Sequence, residues 1–365
     1  MIVLITNNTL SHRHGSELYV RDLAVSLLAR GHRPIACSSR LGEVAEQLKA
    51  ATIPVVERPS DLGVRPDIIH GHHHLETMRA ILALPGVPAV YFCHGWLPWE
   101  EAPPVFPRIV RYVAVDRTCY DRIVIEQGVS EERVDIILNS VDLQRFQPRE
   151  PLPAKPMRAL MFSNTADERT IHAIKTACEP LGIKVDVVGT MTGNPSSEPE
   201  QLLRSYDLVF ARGRAALEAM AVGAAVVICD YMRCGPMVSS ENFDTLRPLN
   251  FGIRSLQNPL TAAFLNEQIA RYDPTDAEVV HRRIRKEASL EDMTTAVIKL
   301  YEQAIREYGE RRHDNEDEIR AAGLYIESLI PQLSSLERLR KEGLETKQFL
   351  AKKFERLRSR FRPRV

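Results

Sequence analysis

The sequence is most informative at first in what it lacks. It has no surplus of charge of one sign: Lys+Arg and Asp+Glu both number 48. Coating nucleic acid is therefore excluded as its main task, because that requires a basic excess against phosphate. It has no Cys-x-x-Cys pair. Its six cysteines (Cys37, Cys93, Cys119, Cys178, Cys229 and Cys234) are scattered, as reduced core thiols of a cytosolic protein are, and they form no disulfide framework. It has no apolar run of about 18 residues, the length a membrane-spanning helix needs. The start, Met1-Ile-Val-Leu-Ile, lacks a basic n-region, so no signal peptide is expected. Aromatic residues make up only 6% of the chain, against 44% hydrophobic and 26% charged. What remains is a soluble globular chain of 365 residues, long enough for two domains that each bury a core.

Short apolar runs alternate with helical patterns. Ile2–Ile5, Pro34–Cys37, Ile53–Val56, Asp67–His70, Ala89–Phe92, Tyr112–Val115 and Val134–Leu138 read as buried strands. After Gly15 and Ser16 comes a helical stretch with Leu18, Leu23, Ala24, Leu27 and Leu28, stopped at Gly31. Gln147–Pro156 holds four prolines and reads as a stiff connection between domains. The alternation then restarts with strands at Arg158–Phe162, Lys184–Val188, Leu208–Phe210 and Ala225–Cys229, and helices around Thr170–Cys178, Pro199–Ser205 and Ala215–Val222. Such alternation predicts an α/β protein with two doubly wound parallel sheets, and ligands bind at the carboxyl ends of such strands. The boundaries are 1–148, 156–275, closing helices at 276–310, and a charged helical extension at 311–365.

The segment from Tyr206 to Val227 carries the most chemistry. It reads as a strand, a turn at Gly213, a short helix ending at Gly223, and a strand. A helix N-terminus behind a glycine turn offers free N–H groups to phosphate. Arg212 and Arg214 flank Gly213 and can add charge-assisted hydrogen bonds to a diphosphate. Glu218, one turn on, is placed to accept from ribose hydroxyls. The bland alternative is a plain βαβ unit with surface arginines and an exposed glutamate.

Leu217-Glu-Ala-Met-Ala-Val-Gly resembles the donor-binding signature of family 4 glycosyltransferases, retaining enzymes of the GT-B fold. Four further segments resemble that family in the same order: the Gly15 loop with the helix ending Ala29-Arg-Gly-His, Asp67-Ile-Ile-His-Gly-His, Phe92-Cys-His-Gly, and Ile137-Leu-Asn-Ser-Val-Asp through Pro148. The resemblance covers roughly residues 1–255. It implies transfer of a sugar from a UDP- or GDP-type nucleotide sugar to a glycan or lipid-linked acceptor, with retention and no cofactor. It also implies that Gly15 and Ser16 lie near the donor phosphates, that His94 lies near the reacting sugar, and that Glu218 holds the ribose. In such a transfer the departing diphosphate itself acts as base, so the protein mainly stabilises charge growing on it.

The chain departs from the family at three points. The first glutamate of the family's donor motif is Phe210 here. Ser163-Asn-Thr follows the strand after the hinge where the family has its Gly-Arg…Lys grip, which moves phosphate binding to Arg212 and Arg214. Ser140 replaces a glycine. These departures leave two other readings open: a nucleotide-sugar epimerase of similar shape, and a degenerate transferase kept as a binding or assembly subunit. His70, His72, His73 and His74 offer imidazoles at close spacing, but no further ligand type stands at fixed spacing and no Asp-x-Asp pair occurs, so a metal is not expected. From Leu333 to Val365 eleven Lys/Arg face four Glu, a local balance of +7. Leu329, Leu333, Leu336 and Leu339, then Leu350, Phe354, Leu357 and Phe361, share a helical face. That end is read as a coiled-coil assembly element or a surface helix on an anionic membrane, which would place a cytoplasmic protein at the membrane's inner face.

Overall fold

A computed structural model describes residues 1–312 and 314–360, with side chains as far as Lys341. Two parallel sheets account for most of it. The first has seven strands: β1 (Ile2–Thr6), β2 (Arg33–Cys37), β3 (Val55–Val56), β4 (Ile68–His72), β5 (Ala89–Cys93), β6 (Ile109–Ala114) and β7 (Val134–Ile136). Their order is β3-β2-β1-β4-β5-β6-β7, parallel throughout. The winding reverses between β1 and β4, the kind of switch point where open α/β sheets bind ligands. Helices α1 (Gly15–Ala29), α2 (Glu43–Ala50), α3 (His74–Ala83) and α4 (Arg117–Asp121) connect these strands.

The second sheet contains β8 (Arg158–Phe162), β9 (Lys184–Val188), β10 (Leu208–Ala211), β11 (Ala225–Asp230), β12 (Arg233–Met237) and β13 (Asn258–Pro259), in the order β13-β12-β11-β10-β8-β9. Its helices are α5 (Glu168–Cys178), α6 (Pro199–Leu202), α7 (Gly213–Val222), α8 (Phe243–Leu246), α9 (Ala262–Ile269) and α10 (Pro274–Glu287). Asp167 and Asp273 cap α5 and α10 by accepting first-turn amides, the capping expected of aspartate there. The parallel expectation fails at one edge, where β12 and β13 run antiparallel. Tyr231 and Met232 turn β11 back on itself with φ of +51° and +57°. Neither is a glycine or asparagine, so the hairpin carried no turn signal in sequence.

Apolar residues on the strands bury a core around α1, β1 and β4 in the first sheet, and cores on both faces of the second, one around α7 and one around α5 and α9. After the second sheet the chain returns to the first. Helix α11 (Leu290–Glu310) buries Met293, Val297, Leu300, Tyr301 and Ala304 in the core of the first sheet. Both sheets thus belong to one compact unit. The chain from Arg312 onward, grouped with Val105–Pro107, forms another. In it α12 (Asn315–Arg360) is a single long helix on which Ile319, Ile326, Ile330, Leu333, Leu336 and Leu339 are exposed. The stripe of Leu350, Phe354, Leu357 and Phe361 and most of the basic cluster lie outside the residues whose side chains are described. No helix among the described residues is long and apolar enough to cross a membrane.

Candidate active site

The carboxyl ends of both sheets open into a cleft with two adjoining cavities that share Gly15, Arg212, Gly213, Arg214 and Tyr231 as walls. The larger, about 600 Å³, lies on the second sheet: Ser163, Asn164 and Thr165 after β8, Gly189 and Thr190 after β9, and Gly213 and Glu218 on α7 line it. Gly189 is required by close approach, because a Cβ there would stand 1.8 Å from the Ser163 carbonyl oxygen. Gly213 opens α7 at φ +58°, so only a residue free of Cβ strain turns the chain into the helix facing the cavity. The N-terminus of α7 therefore lies at the larger cavity; its Gly213 N–H is taken by the Phe251 carbonyl at 2.9 Å, which leaves the Arg214 and Ala215 amides as the first-turn donors for a ligand.

The arginines are not surface residues. Arg214 donates from Nε to Glu218 Oε1 at 2.7 Å and from Nη2 to Asp22 Oδ2 on α1, which bridges the cleft. Asp22 also accepts from Arg21 at 2.6 Å. Burial works to raise the Asp22 carboxyl, but the Arg214 and Arg21 guanidiniums outweigh it and hold it below the usual carboxylate range. Arg212 donates to Asp230 Oδ2 at 2.6 Å and to the Tyr231 hydroxyl at 2.6 Å. Asp230, at the end of β11, also accepts from Ser163 at 3.0 Å and Thr165 at 2.9 Å. The Ser163–Thr165 segment is thus neutral and tied to a buried carboxylate. Three guanidiniums (Arg21, Arg212, Arg214) balance three carboxylates (Asp22, Glu218, Asp230). Glu218 is 4% exposed, so the bland expectation of an exposed glutamate is overturned: its stem packs in the helix core and its head meets Arg214. Phe210 is wholly buried among Met161, Val227 and Cys229 on the other side of the sheet, and supplies nothing polar to the cleft.

The smaller cavity, about 410 Å³, lies on the first sheet, where Ser16, Tyr19, His94, Trp96 and Glu101 line it together with Asn139 and Ser140. The clustered histidines are not a loop. His70 and His72 point from β4 into the core, and both are buried. His72 stacks on His94 at 4.6 Å, and Tyr19 meets His94 edge-on at 4.6 Å. Burial depresses these imidazoles: His94 to about 3, with His73 adding repulsion, and His73 to about 4, with His74 adding repulsion. They are neutral at physiological pH. Among the described residues no group of three or more His, Cys, Asp or Glu side chains is placed to hold a metal ion. Glu101, pushed up to about 7 by burial against the pull of the His94 amide and Arg122, was not singled out in sequence. Neither were Tyr19, Asp22 or Asp230. Asp230 carried a usable signal, because it ends a strand at the ligand-binding edge of an α/β sheet.

Residues 57–145 match the sequence profile named Glycosyltransferase Family 4. That segment runs from the end of β3 to the residues ahead of the hinge and includes His94 and Glu101. Residues 57–145 are thus similar to family 4 glycosyltransferases, on a fold of the GT-B kind. The glycosyltransferase from Rickettsia africae ESF-5 is similar in structure, with 14% identity and a TM-score of 0.63 over 83% of this chain and 98% of that one. HepE from Anabaena, solved with UDP-glucose, is similar at 16% identity and a TM-score of 0.63 over 83% and 100%. A putative UDP-N-acetylglucosamine 2-epimerase from Listeria monocytogenes is similar at 13% and 0.51 over 86% and 97%. At these identities the likeness is one of fold. No curated protein sequence matches.

Proposed function

We propose that this protein transfers a sugar, with retention and without a metal, from a nucleotide-diphosphate sugar to a glycan or lipid-linked acceptor. One observation carries the reading: the α7 N-terminus, Arg212 and Glu218 line one cavity, and a second cavity walled by His94, Tyr19 and Trp96 opens beside it through shared walls. The nucleotide and diphosphate fit the first, with Glu218 toward the ribose and the α7 amides toward phosphate. Gly15 and Ser16 stand where the two cavities meet. The sugar and acceptor fit the second, with the neutral His94 ring beside the reacting carbon. Arg212 is the better placed phosphate ligand, since its guanidinium is 28% exposed. Arg214, enclosed between Asp22 and Glu218, orients the ribose-binding carboxylate and ties the two sheets together. Its charge reaches the diphosphate only as Asp22 is exchanged for it. HepE's complex with UDP-glucose supports a nucleotide-sugar donor in such a cleft. The exposed apolar stripe of α12 is consistent with assembly or membrane contact beyond this reaction.

Phe210 favours a second reading, an epimerase, because no carboxylate stands where the family grips the donor sugar. Incubation with a panel of UDP- and GDP-sugars separates the two. Slow release of free nucleotide supports the transferase. A converted sugar without free nucleotide supports the epimerase, and failure to bind any nucleotide sugar overturns both.

A further inference from the structure

We propose that Glu101 reads the acceptor. It is a carboxylate fixed in the wall of the smaller cavity to take hydrogen bonds from an uncharged or amino-sugar end whose ring lies against Trp96. The inference rests on the transferase reading above and adds to it the class of acceptor.

The Glu101 side chain is 8% exposed, and that exposure faces the cavity. Both carboxyl oxygens are held from behind. The His94 backbone N–H donates to Oε2 at 3.0 Å, and His73 Nε2 lies 3.4 Å from Oε1. The proton on His73 is assigned by its other nitrogen: the Asn8 N–H donates to Nδ1 at 3.4 Å, so the neutral ring carries its hydrogen on Nε2 and donates to Glu101. His73 holds this ring in place from a left-handed backbone, φ +58°, a conformation that is costly for a side chain with Cβ and persists where surroundings impose it.

Two donors leave a carboxylate with accepting capacity to spare, and a ligand can meet it from the cavity that Glu101 lines. Arg122, whose charge acts on Glu101, spends Nη1 and Nη2 on the Gly95 and Pro98 carbonyls at 2.6 and 2.9 Å. Arg212 and Arg214 stand on the other sheet and are matched by their own carboxylates. A ligand that satisfies Glu101 must therefore bring hydrogens and no negative charge. Trp96, Tyr19 and His94 add ring faces to the same wall. A flat apolar surface beside a pinned carboxylate matches the two aspects of a sugar ring, its C–H face and its hydroxyl rim. A phosphate- or carboxylate-ended acceptor placed at Glu101 would meet a second wall carboxylate, Asp116, while the Arg212 and Arg214 guanidiniums across the cavity are already engaged by Asp230, Asp22 and Glu218.

Of the chain's two tryptophans, Trp96 lines the cavity and Trp99 packs edge-on against His74 at 4.4 Å, so tryptophan fluorescence reports on the site. The full-length protein is titrated at pH 8.5, above the raised value of about 7 for Glu101, with methyl α-D-glucoside, methyl α-D-galactoside and glucosamine, and with glucose 1-phosphate as the anionic counterpart. The expected result is a saturable change with at least one of the first three and none with glucose 1-phosphate over the same range. Glu101→Gln should weaken that sugar by about tenfold or more, the loss of one charged hydrogen-bond partner, with UDP affinity unchanged by calorimetry. His73→Asn leaves the carboxylate in place but removes its donor, and should weaken the same sugar. The proposal is overturned if no sugar saturates, if glucose 1-phosphate binds as well, or if either variant that retains the wild-type fold binds the sugar like wild type. Should wild type ignore UDP and other nucleotides, the donor reading fails, and the sugar titration still decides the role of Glu101.

Discussion

The two walls of the cleft are built on opposite principles. The wall from the second sheet and α1 is charged and compensated: each guanidinium meets a buried carboxylate, and Arg214 joins one sheet to the other. The wall from the first sheet is neutral by burial, with imidazoles held uncharged against tyrosine, phenylalanine and one another. A donor with a diphosphate suits the first wall, where ion pairs can be exchanged. A polyhydroxylated ring suits the second, where desolvated rings and one pinned carboxylate favour uncharged groups.

The largest effect expected from breaking this contrast is at Arg214. Arg214→Ala leaves Glu218 buried without its cation and Asp22 with Arg21 alone, and should cost about 3 kcal/mol or more of stability by urea unfolding. A cost below 1 kcal/mol would mean that the charged wall is not compensated through this residue. Next comes the pair itself. A double-mutant cycle of Asp22→Asn and Arg214→Gln should return a coupling of about 1–3 kcal/mol, whereas additivity would remove the bridge across the cleft.

The walls should also separate by pH. Histidines depressed in the folded state give stability that is complete above their unfolded value, about 6.5. It is lost as pH falls toward the folded values of about 4 for His73 and about 3 for His94. Glu101, raised to about 7, acts in the opposite sense: its protonated form favours folding below about 4.5, an advantage lost as pH rises through 7. The several histidines outweigh the one glutamate, so the melting temperature should fall from pH 7 to pH 5. Asp22, held below the usual range, loses its contribution only at more acid pH. His72→Phe should flatten the decline between pH 7 and 5, and a slope unchanged in that variant would assign the acid sensitivity elsewhere. The smallest effect belongs to the partly exposed pair of Arg254 and Asp121: Arg254→Ala should change stability by less than about 1 kcal/mol.

Much of the fold was legible because parallel strands buried on both faces read as continuous apolar runs. Ile2–Thr6, Arg158–Phe162 and Ala225–Asp230 all do so. The β12 hairpin was not legible, since Tyr231 and Met232 occupy turn positions that tertiary contacts impose. At the cleft, the positions of Gly213 and Glu218 followed from helix-start spacing and that of His94 from resemblance, and what they bind belongs to the proposed function. Asp230 was open to reading as a strand end at the ligand-binding edge, whereas Asp22 and Glu101 were not, because each meets a partner far along the chain, Arg214 and His73. Long-range ion pairing leaves no periodic trace in sequence.

The most direct test of the account is calorimetric titration of wild type and Glu218→Gln with UDP and GDP. The account predicts that wild type binds one of them and that the variant, still folded, binds it more weakly by about 1–3 kcal/mol, the range for a lost charged hydrogen-bond partner. Equal affinity in the two proteins, or no nucleotide binding by wild type, would contradict it.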